Sequence, residues 1–336
     1  MSHKIALNFE DGQTRFIASL PGENVANAAY RNAINIPIDC RDGACGACKS
    51  ICESGQFEMT DFIETALSHE EVKTGHVLTC KMIPTTDCVV RIPTTLEQCV
   101  KVQLMPKQAV VVSIKPVSET TFTVTLEGEA VTDLEFLPGQ YAALQVPGTT
   151  ETRAYSFSSM VEDGRVEFLI RNVPGGLMSS YLSHRSKVGD SISMKGPIGS
   201  FYLRDIKRPV LMLAGGTGLA PFLAMLATIE EKGSAHPIHL VYGVTSESDL
   251  VMLDRLDEHK QKIPDFTYTA CVADKTSNYP IRGYVTDHIP VASVNGGDVD
   301  IYLCGPPAMV SATEDYIKVN GIEPVSFHYE KFVASR

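Results

Sequence analysis

The sequence predicts three unlike domains in tandem: a small α+β domain over residues 1–98, an antiparallel β-barrel over 103–204 and an α/β domain with a parallel sheet over 207–336. Three observations predict this. The first third combines a hairpin pattern, a helix and most of the cysteines. The middle third is a run of short β-branched and aromatic segments separated by turn signals. The last third alternates continuous apolar runs with helical stretches, the rhythm of an open parallel sheet covered on both faces. A chain of 336 residues also exceeds what one core usually serves.

Composition narrows the function classes. Hydrophobic residues make up 44% and charged residues 21%, as in a soluble globular protein. The net charge of −11 argues against sequence-independent nucleic-acid binding, which needs a basic surface. It suits docking onto a basic patch of a protein partner, and it equally suits solubility alone. Charges enter Met1–Asp11 too early for a signal-peptide core, and no apolar run reaches the roughly 18 residues of a membrane span. A cytoplasmic location is expected. There, nine cysteines point to metal or redox chemistry rather than to a disulfide framework.

In the first third, Lys4–Phe9 and Thr14–Leu20 flank Asp11-Gly12, a hairpin signature. Glu23–Ala33 follows with Val25, Ala28, Ala29 and Ala33 at helical spacing. Then come Cys40, Cys45 and Cys48, with Cys80 more distant. C-x4-C-x2-C plus a remote fourth cysteine is the plant-type [2Fe–2S] spacing. Three thiolates on one short loop require tight wrapping, which the small residues Gly43, Ala44, Gly46 and Ala47 permit. Structural zinc sites usually show two C-x2-C pairs, and only one is present. Cys52, Cys88 and Cys99 fall outside the pattern and suit small buried positions.

In the middle third, Val110–Val117, Thr121–Leu126, Tyr141–Val146, Thr152–Ser158 and Val166–Val173 are predicted strands. The stretch Arg153–Ser158 carries the chemistry. Arg153 offers a planar fork for a diphosphate, Tyr155 a flat face for a ring system, and Ser156 a small hydroxyl for a ring nitrogen. Gly175-Gly176, followed by a helix start at Leu177, resembles a phosphate cradle with Ser179 and the first helical N–H groups; a plain turn is the alternative. Gly196–Phe201 is expected to be a tight turn.

In the last third, the apolar run Pro209–Ala214 leads into Gly215-Gly216-Thr217-Gly218 and then a helical stretch at Phe222–Glu231. Strand, glycine loop and helix make a nucleotide-binding layout, although the full G-x-G-x-x-G spacing is absent. The rhythm repeats at Ile238–Val244 with Leu250–Lys262, and again at Asp300–Met309. The carboxyl ends of such strands bind ligands, which puts Gly215–Gly218 and Cys304–Pro306 together. Thr245–Asp249 is acidic and hydroxylated, with no basic residue before Arg255. A free ribose diol suits Glu247 there better than a 2′-phosphate does, so NADH is expected over NADPH.

Taken together, these residues resemble the ferredoxin–NADP reductase superfamily with an N-terminal plant-type ferredoxin domain. Arg153-x-Tyr155-Ser156-x-Ser158 is similar to its flavin motif. Gly216-Thr217-Gly218-x-x-Pro221 and Cys304-Gly305-Pro306 resemble its pyridine-nucleotide motifs, and Glu330-Lys331-Phe332 its C-terminal segment beside the flavin. The domain order resembles the single-component reductases of bacterial oxygenases. Pro147–Arg153 and Gly199–Asp205 most resemble those of benzoate and toluate 1,2-dioxygenases.

The resemblance implies a β-grasp ferredoxin domain holding the cluster on Cys40, Cys45, Cys48 and Cys80. It implies FAD on Arg153, Tyr155 and Ser156, on Ile170 and Arg171, on Gly176, Met178 and Ser179, and against Phe332. NADH would meet Gly215, Gly216, Thr217, Gly218 and Pro221, then Glu247, and finally Cys304, Gly305 and Pro306. Ser156, Cys304 and Glu330 would be catalytic. The implied partner is a Rieske-type terminal oxygenase, with neither nucleic acid nor membrane involved. NADH gives two electrons together as a hydride and a [2Fe–2S] cluster takes one, so a flavin belongs between them. Two alternatives are a same-layout reductase of a multicomponent monooxygenase or deoxysugar pathway, and a non-catalytic redox sensor or electron carrier. Steady NADH turnover with an artificial acceptor separates the last from the others.

Overall fold

The computed structural model describes residues 2–39, 41–64, 66–99 and 106–332. The chain divides into two compact units, Met1–Leu104 and Met105–Arg336. The barrel and the parallel sheet share the second unit, each with its own sheet.

The first unit is α+β. Its strands are β1 (Lys4–Phe9), β2 (Thr14–Ala18), β3 (Lys49–Ser54), β4 (Phe57–Met59), β5 (His76–Leu78), β6 (Met82–Pro84) and β7 (Cys88–Ile92). The helices are α1 (Val25–Arg31), α2 (His69–Lys73) and α3 (Leu96–Cys99). Five strands form one sheet in the order β2-β1-β7-β3-β5, with β1 parallel to β7. The alternation read from Lys4–Phe9 has a physical cause: Ile5 and Leu7 enter the core beneath α1, where Val25, Ala28 and Ala29 are also buried. Helix α1 is shorter than the predicted 23–33. Asn24 caps it by accepting from the Asn27 N–H at 2.9 Å, and Ala33 turns left-handed. Cys88 and Cys99 are buried as expected, whereas Cys52 is only half-buried.

In the second unit the barrel strands are β8 (Lys107–Ser118), β9 (Thr121–Glu127), β10 (Tyr141–Gln145), β11 (Thr152–Ser156), β12 (Arg165–Arg171) and β13 (Ser191–Ile198), with helices α4 (Glu129–Thr132) and α5 (Leu177–His184). Their order is β11-β10-β13-β8-β9-β12, all antiparallel, and a bridge between Phe157 and Phe168 joins the two edges. Both rings are fully buried, and Phe136 stacks on Phe157 at 4.1 Å. The predicted turn at Gly196–Phe201 is corrected. Gly196–Ile198 ends β13, paired across Tyr141, and the chain leaves the sheet only at Gly199.

The parallel sheet contains β14 (Val210–Gly215), β15 (Ile238–Val244), β16 (Phe266–Val272), β17 (Asp300–Gly305) and β18 (Ser326–Lys331), in the order β16-β15-β14-β17-β18. Helices α6 (Ala220–Lys232), α7 (Leu253–Lys262) and α8 (Pro307–Val319) cross between strands. Strand order reverses at β14, so the carboxyl ends of β14 and β17 open a crevice side by side. Strands β16 and β18 complete the sheet beyond the predicted β–α repeats. On β18, His328 lies tilted against Tyr302 with centroids 5.0 Å apart. Among the described residues no helix is long and apolar enough to cross a membrane.

His328 links the fold to pH. Burial, helped by the Arg204 guanidinium, pulls its imidazole down to about 4. The unfolded chain protonates this residue near its ordinary value of about 6.5, so between these values the unfolded state holds the extra proton. Stability contributed by neutral His328 is therefore complete above about 6.5 and is lost as pH falls toward 4. Thermal midpoints recorded from pH 7 to 4 are expected to fall less steeply in His328→Phe than in the parent. Equal slopes would assign the dependence to other groups.

Candidate functional site

Strand β11 presents Arg153 and Tyr155 on one face, as period-two alternation requires. The Arg153 guanidinium donates to the Thr152 carbonyl at 2.8 Å and lies 3.4 Å from Glu151. Tyr155 is half-buried, and burial raises its hydroxyl above the ordinary value. Ser156, the last residue of β11, is 3% exposed. Its hydroxyl donates to Glu330 Oε2 on β18 at 3.1 Å. The Cys304 thiol, on β17, lies 3.9 Å from that same oxygen. The structure therefore brings Ser156, Cys304 and Glu330 together from three strands and both sheets. Cys304 is wholly buried; burial and then the Glu330 carboxylate push its thiol well above the ordinary value, so it stays protonated.

At the expected phosphate cradle one side chain is turned elsewhere. Gly176 precedes α5 and gives it no side-chain cap, which leaves first-turn N–H groups for an anion. The Ser179 hydroxyl instead accepts from the Val173 N–H at 2.8 Å and donates to the Arg171 carbonyl at 3.4 Å, so it braces the loop rather than facing a ligand. Ile170 and Met178 lie in the barrel core, so their backbones are what they can offer. Arg171 is exposed and points at the other half of the site. Its Nη1 lies 3.5 Å from where a Cβ on Gly216 would stand.

The glycine loop is a 3-10 turn, Gly216–Leu219, between β14 and α6, with Pro221 in the first turn of α6. Gly218 is the position that only glycine fits, because an added Cβ would strike the backbone carbonyl of Cys304. This close approach locks the loop against the end of β17. Gly215 packs beside Pro306 and Met309 in the same way, and the Phe332 N–H donates to the Gly305 carbonyl at 2.9 Å. Phe332 itself packs half-buried on the core of the parallel sheet. After β15, Glu247 stands exposed and accepts from the Ser277 hydroxyl at 3.0 Å. Its neighbour in the acidic run, Asp249, is buried and turned inward.

In the first unit, Cys48 and Cys80 are buried with sulfurs 3.3 Å apart, and Cys80 lies in the turn after β5. Cys45 sits between the left-handed residues Gly43 and Gly46, and the Ala47 N–H approaches its sulfur at 3.5 Å. Cys40 lies outside the described residues.

Sequence reasoning missed the side-chain contacts that hold the second unit's two sheets together. Arg255 of α7 donates to Glu167 Oε1 at 2.6 Å and to the Ser158 carbonyl at 3.3 Å, both on the barrel. Thr120, between β8 and β9, donates to Asp249. No local pattern marks such partners.

Three family models match in tandem: a 2Fe-2S iron-sulfur cluster binding domain over residues 8–85, an oxidoreductase FAD-binding domain over 108–202 and an oxidoreductase NAD-binding domain over 212–315. The toluate 1,2-dioxygenase electron transfer component of Pseudomonas putida is 56% identical over 100% of both chains. This chain belongs to the dioxygenase electron transfer components. The 2-halobenzoate 1,2-dioxygenase electron transfer component of Burkholderia cepacia is 48% identical over 99% of this chain and 98% of that one. Among solved structures, the Amycolatopsis cytochrome P450 reductase superposes with a TM-score of 0.71 at 30% identity, covering 98% of this chain and 99% of that one.

As such a component the chain is an oxidoreductase whose cofactors are a [2Fe–2S] cluster, FAD and NAD. The residues present fit these groups. Cys45 on a glycine-bent loop, with the adjacent buried thiols of Cys48 and Cys80, suits iron. The uncapped start of α5 suits a diphosphate, and Gly199 abuts the Tyr141 ring, where an added Cβ would come 3.0 Å from Cδ1 and Cε1. The crevice at Gly216–Gly218 suits a dinucleotide.

Gly218→Ala tests the crevice. Pushing the loop off the Cys304 carbonyl is expected to raise the KM for NADH by about tenfold or more, with the visible flavin and cluster spectra retained. An unchanged KM would show that the close approach is not needed for the dinucleotide.

Proposed function

We propose that this chain takes electrons from NADH and delivers them, through FAD and the [2Fe–2S] cluster, to the Rieske-type terminal oxygenase of a benzoate- or toluate-type 1,2-dioxygenase. The observation that carries this reading is the Ser156–Glu330 hydrogen bond, which joins the flavin motif to the strand beside Cys304. Identity of 56% to a toluate 1,2-dioxygenase electron transfer component over the full chain supports the partner class. A need for NADH supports a cytoplasmic location. The domain bounds 1–98, 103–204 and 207–336 go with this assignment of cluster, FAD and NAD.

When bound, the flavin supplies the change from a two-electron donor to a one-electron acceptor. The chain's own residues do the rest. Arg153 and the first N–H groups of α5 hold the FAD diphosphate, with Arg171 facing the crevice, while Tyr155 supplies a flat wall. Gly215–Gly218, Pro221 and Cys304–Pro306 shape the nicotinamide crevice. Ser156 holds its hydroxyl proton against Glu330 Oε2 at the meeting point of barrel and sheet. Phe332, anchored on the Gly305 carbonyl, covers the site and excludes water. Glu247 accepts from the ribose diol, which favours NADH over NADPH. Cys40, Cys45, Cys48 and Cys80 hold the cluster.

Ser156→Ala removes the hydroxyl while leaving the crevice. Rapid mixing with NADH is expected to show flavin reduction slowed by about tenfold or more, with the apparent affinity for NADH within about twofold. Equal reduction rates would remove Ser156 from the mechanism. The partner assignment is tested by reconstitution with a purified benzoate-dioxygenase-type oxygenase, NADH and benzoate. Diol formed in step with NADH loss is expected. NADH oxidised without diol would point to another partner.

A further inference from the structure

Asp249 follows β15 in the acidic run that suggests a ribose site, yet it is 9% exposed and its carboxylate is committed. Thr120 of the barrel donates its hydroxyl to Oδ1. The Ser246 N–H lies 3.3 Å from Oδ2, and the Asp249 N–H returns a bond to the Ser246 carbonyl at 2.9 Å. The Tyr242 hydroxyl donates to the Asp249 carbonyl at 3.3 Å. These bonds close the short 3-10 turn Glu247–Asp249, whose exposed head is Glu247. A turn of three residues has little stability of its own, so its orientation is set by what grips it. Thr120 grips a second loop as well. Its carbonyl accepts from the Asn172 N–H at 2.7 Å, next to Arg171, which faces Gly216.

We propose that Thr120 and Asp249 are positioning residues for the adenosine ribose of NADH, holding the Glu247 turn in register with the flavin barrel. The inference rests on Glu247 as the ribose contact. A carboxylate suits position 249 because both of its oxygens accept, one from a hydroxyl and one from an amide. An amide side chain at this position offers one accepting oxygen in place of two. Through Thr120 the barrel and the ribose turn become one mechanical element, so the dinucleotide is held at a fixed distance from the flavin.

The test is calorimetric titration of ADP-ribose into the FAD-loaded full-length protein, alongside steady-state NADH turnover with ferricyanide. Thr120→Val is expected to weaken ADP-ribose binding by about 5- to 10-fold, the effect of losing one part-buried hydrogen bond. The KM for NADH rises to match, kcat stays within about twofold, and Thr120→Ser restores both constants. In a cycle with Glu247→Gln, the double variant binds no more weakly than Glu247→Gln alone, because Thr120 acts through Glu247. Should Thr120→Val lose its flavin, Asp249→Ala, which removes the side-chain partner of Thr120 altogether, is titrated in its place with the same expectation. An unchanged affinity in Thr120→Val with a weakened Glu247→Gln overturns the positioning role and leaves the ribose contact standing. Effects that add in the double variant also overturn it. An unchanged affinity in Glu247→Gln removes the ribose contact, and the positioning role with it.

Discussion

The site depends on a hydrogen bond between groups 174 residues apart, from Ser156 on the barrel to Glu330 on the last strand of the parallel sheet. Such a bond has value only where its geometry is already fixed, since aligning two free surfaces would cost more than one bond returns. The fixing is done elsewhere. Arg255 reaches from α7 to Glu167 and to the Ser158 carbonyl, two residues beyond Ser156. A charge-assisted bond in partly buried surroundings is stronger and shorter than a neutral one, and here it clamps the barrel beside Ser156. The Thr120–Asp249 contact clamps a second point. Two separated points suppress the rocking that a single contact would leave.

Topology then delivers the remaining groups. Strands β14 and β17 are parallel neighbours, with Ala214 opposite Cys304, so the glycine loop and the Cys304-Gly305-Pro306 turn emerge on the same edge. Adding β18 outside β17, with Glu330 opposite Cys304, brings the chain's last described strand back to that edge. The C-terminal segment is thus not an appendage. Its register places one carboxylate beside both the thiol and the hydroxyl.

Much of this was legible in the chain, and the exceptions share a cause. Strands with clear alternation or continuous apolar runs, such as Lys4–Phe9 and Ile238–Val244, were found with their boundaries because burial writes directly on local pattern. The cysteine spacing and the glycine loop were legible because their chemistry is local. The glycine and proline of Gly196–Phe201 are turn signals, and nothing nearby reveals that Tyr141 pairs with Ile198. Ser179 was read as a phosphate donor because composition shows a hydroxyl near a helix start but not the direction it points. Asp249 and Glu247 look alike in sequence. Only a partner 129 residues away makes one a structural brace and leaves the other facing solvent. Long-range polar partners leave no period and no spacing, so the clamps leave no trace in the local pattern.

Cys304 shows how the same environment limits chemistry as well as enabling it. A thiolate is the reactive form of cysteine, and a reactive nucleophile beside a redox site would invite side reactions. Complete burial disfavours the anion, and Glu330 disfavours it further by like charge. The residue is therefore a small neutral donor that shares Glu330 Oε2 with Ser156. Its carbonyl meanwhile forms the wall against which Gly218 closes the crevice. One buried residue thus shapes the glycine loop with its backbone and shares the Ser156 partner with its side chain.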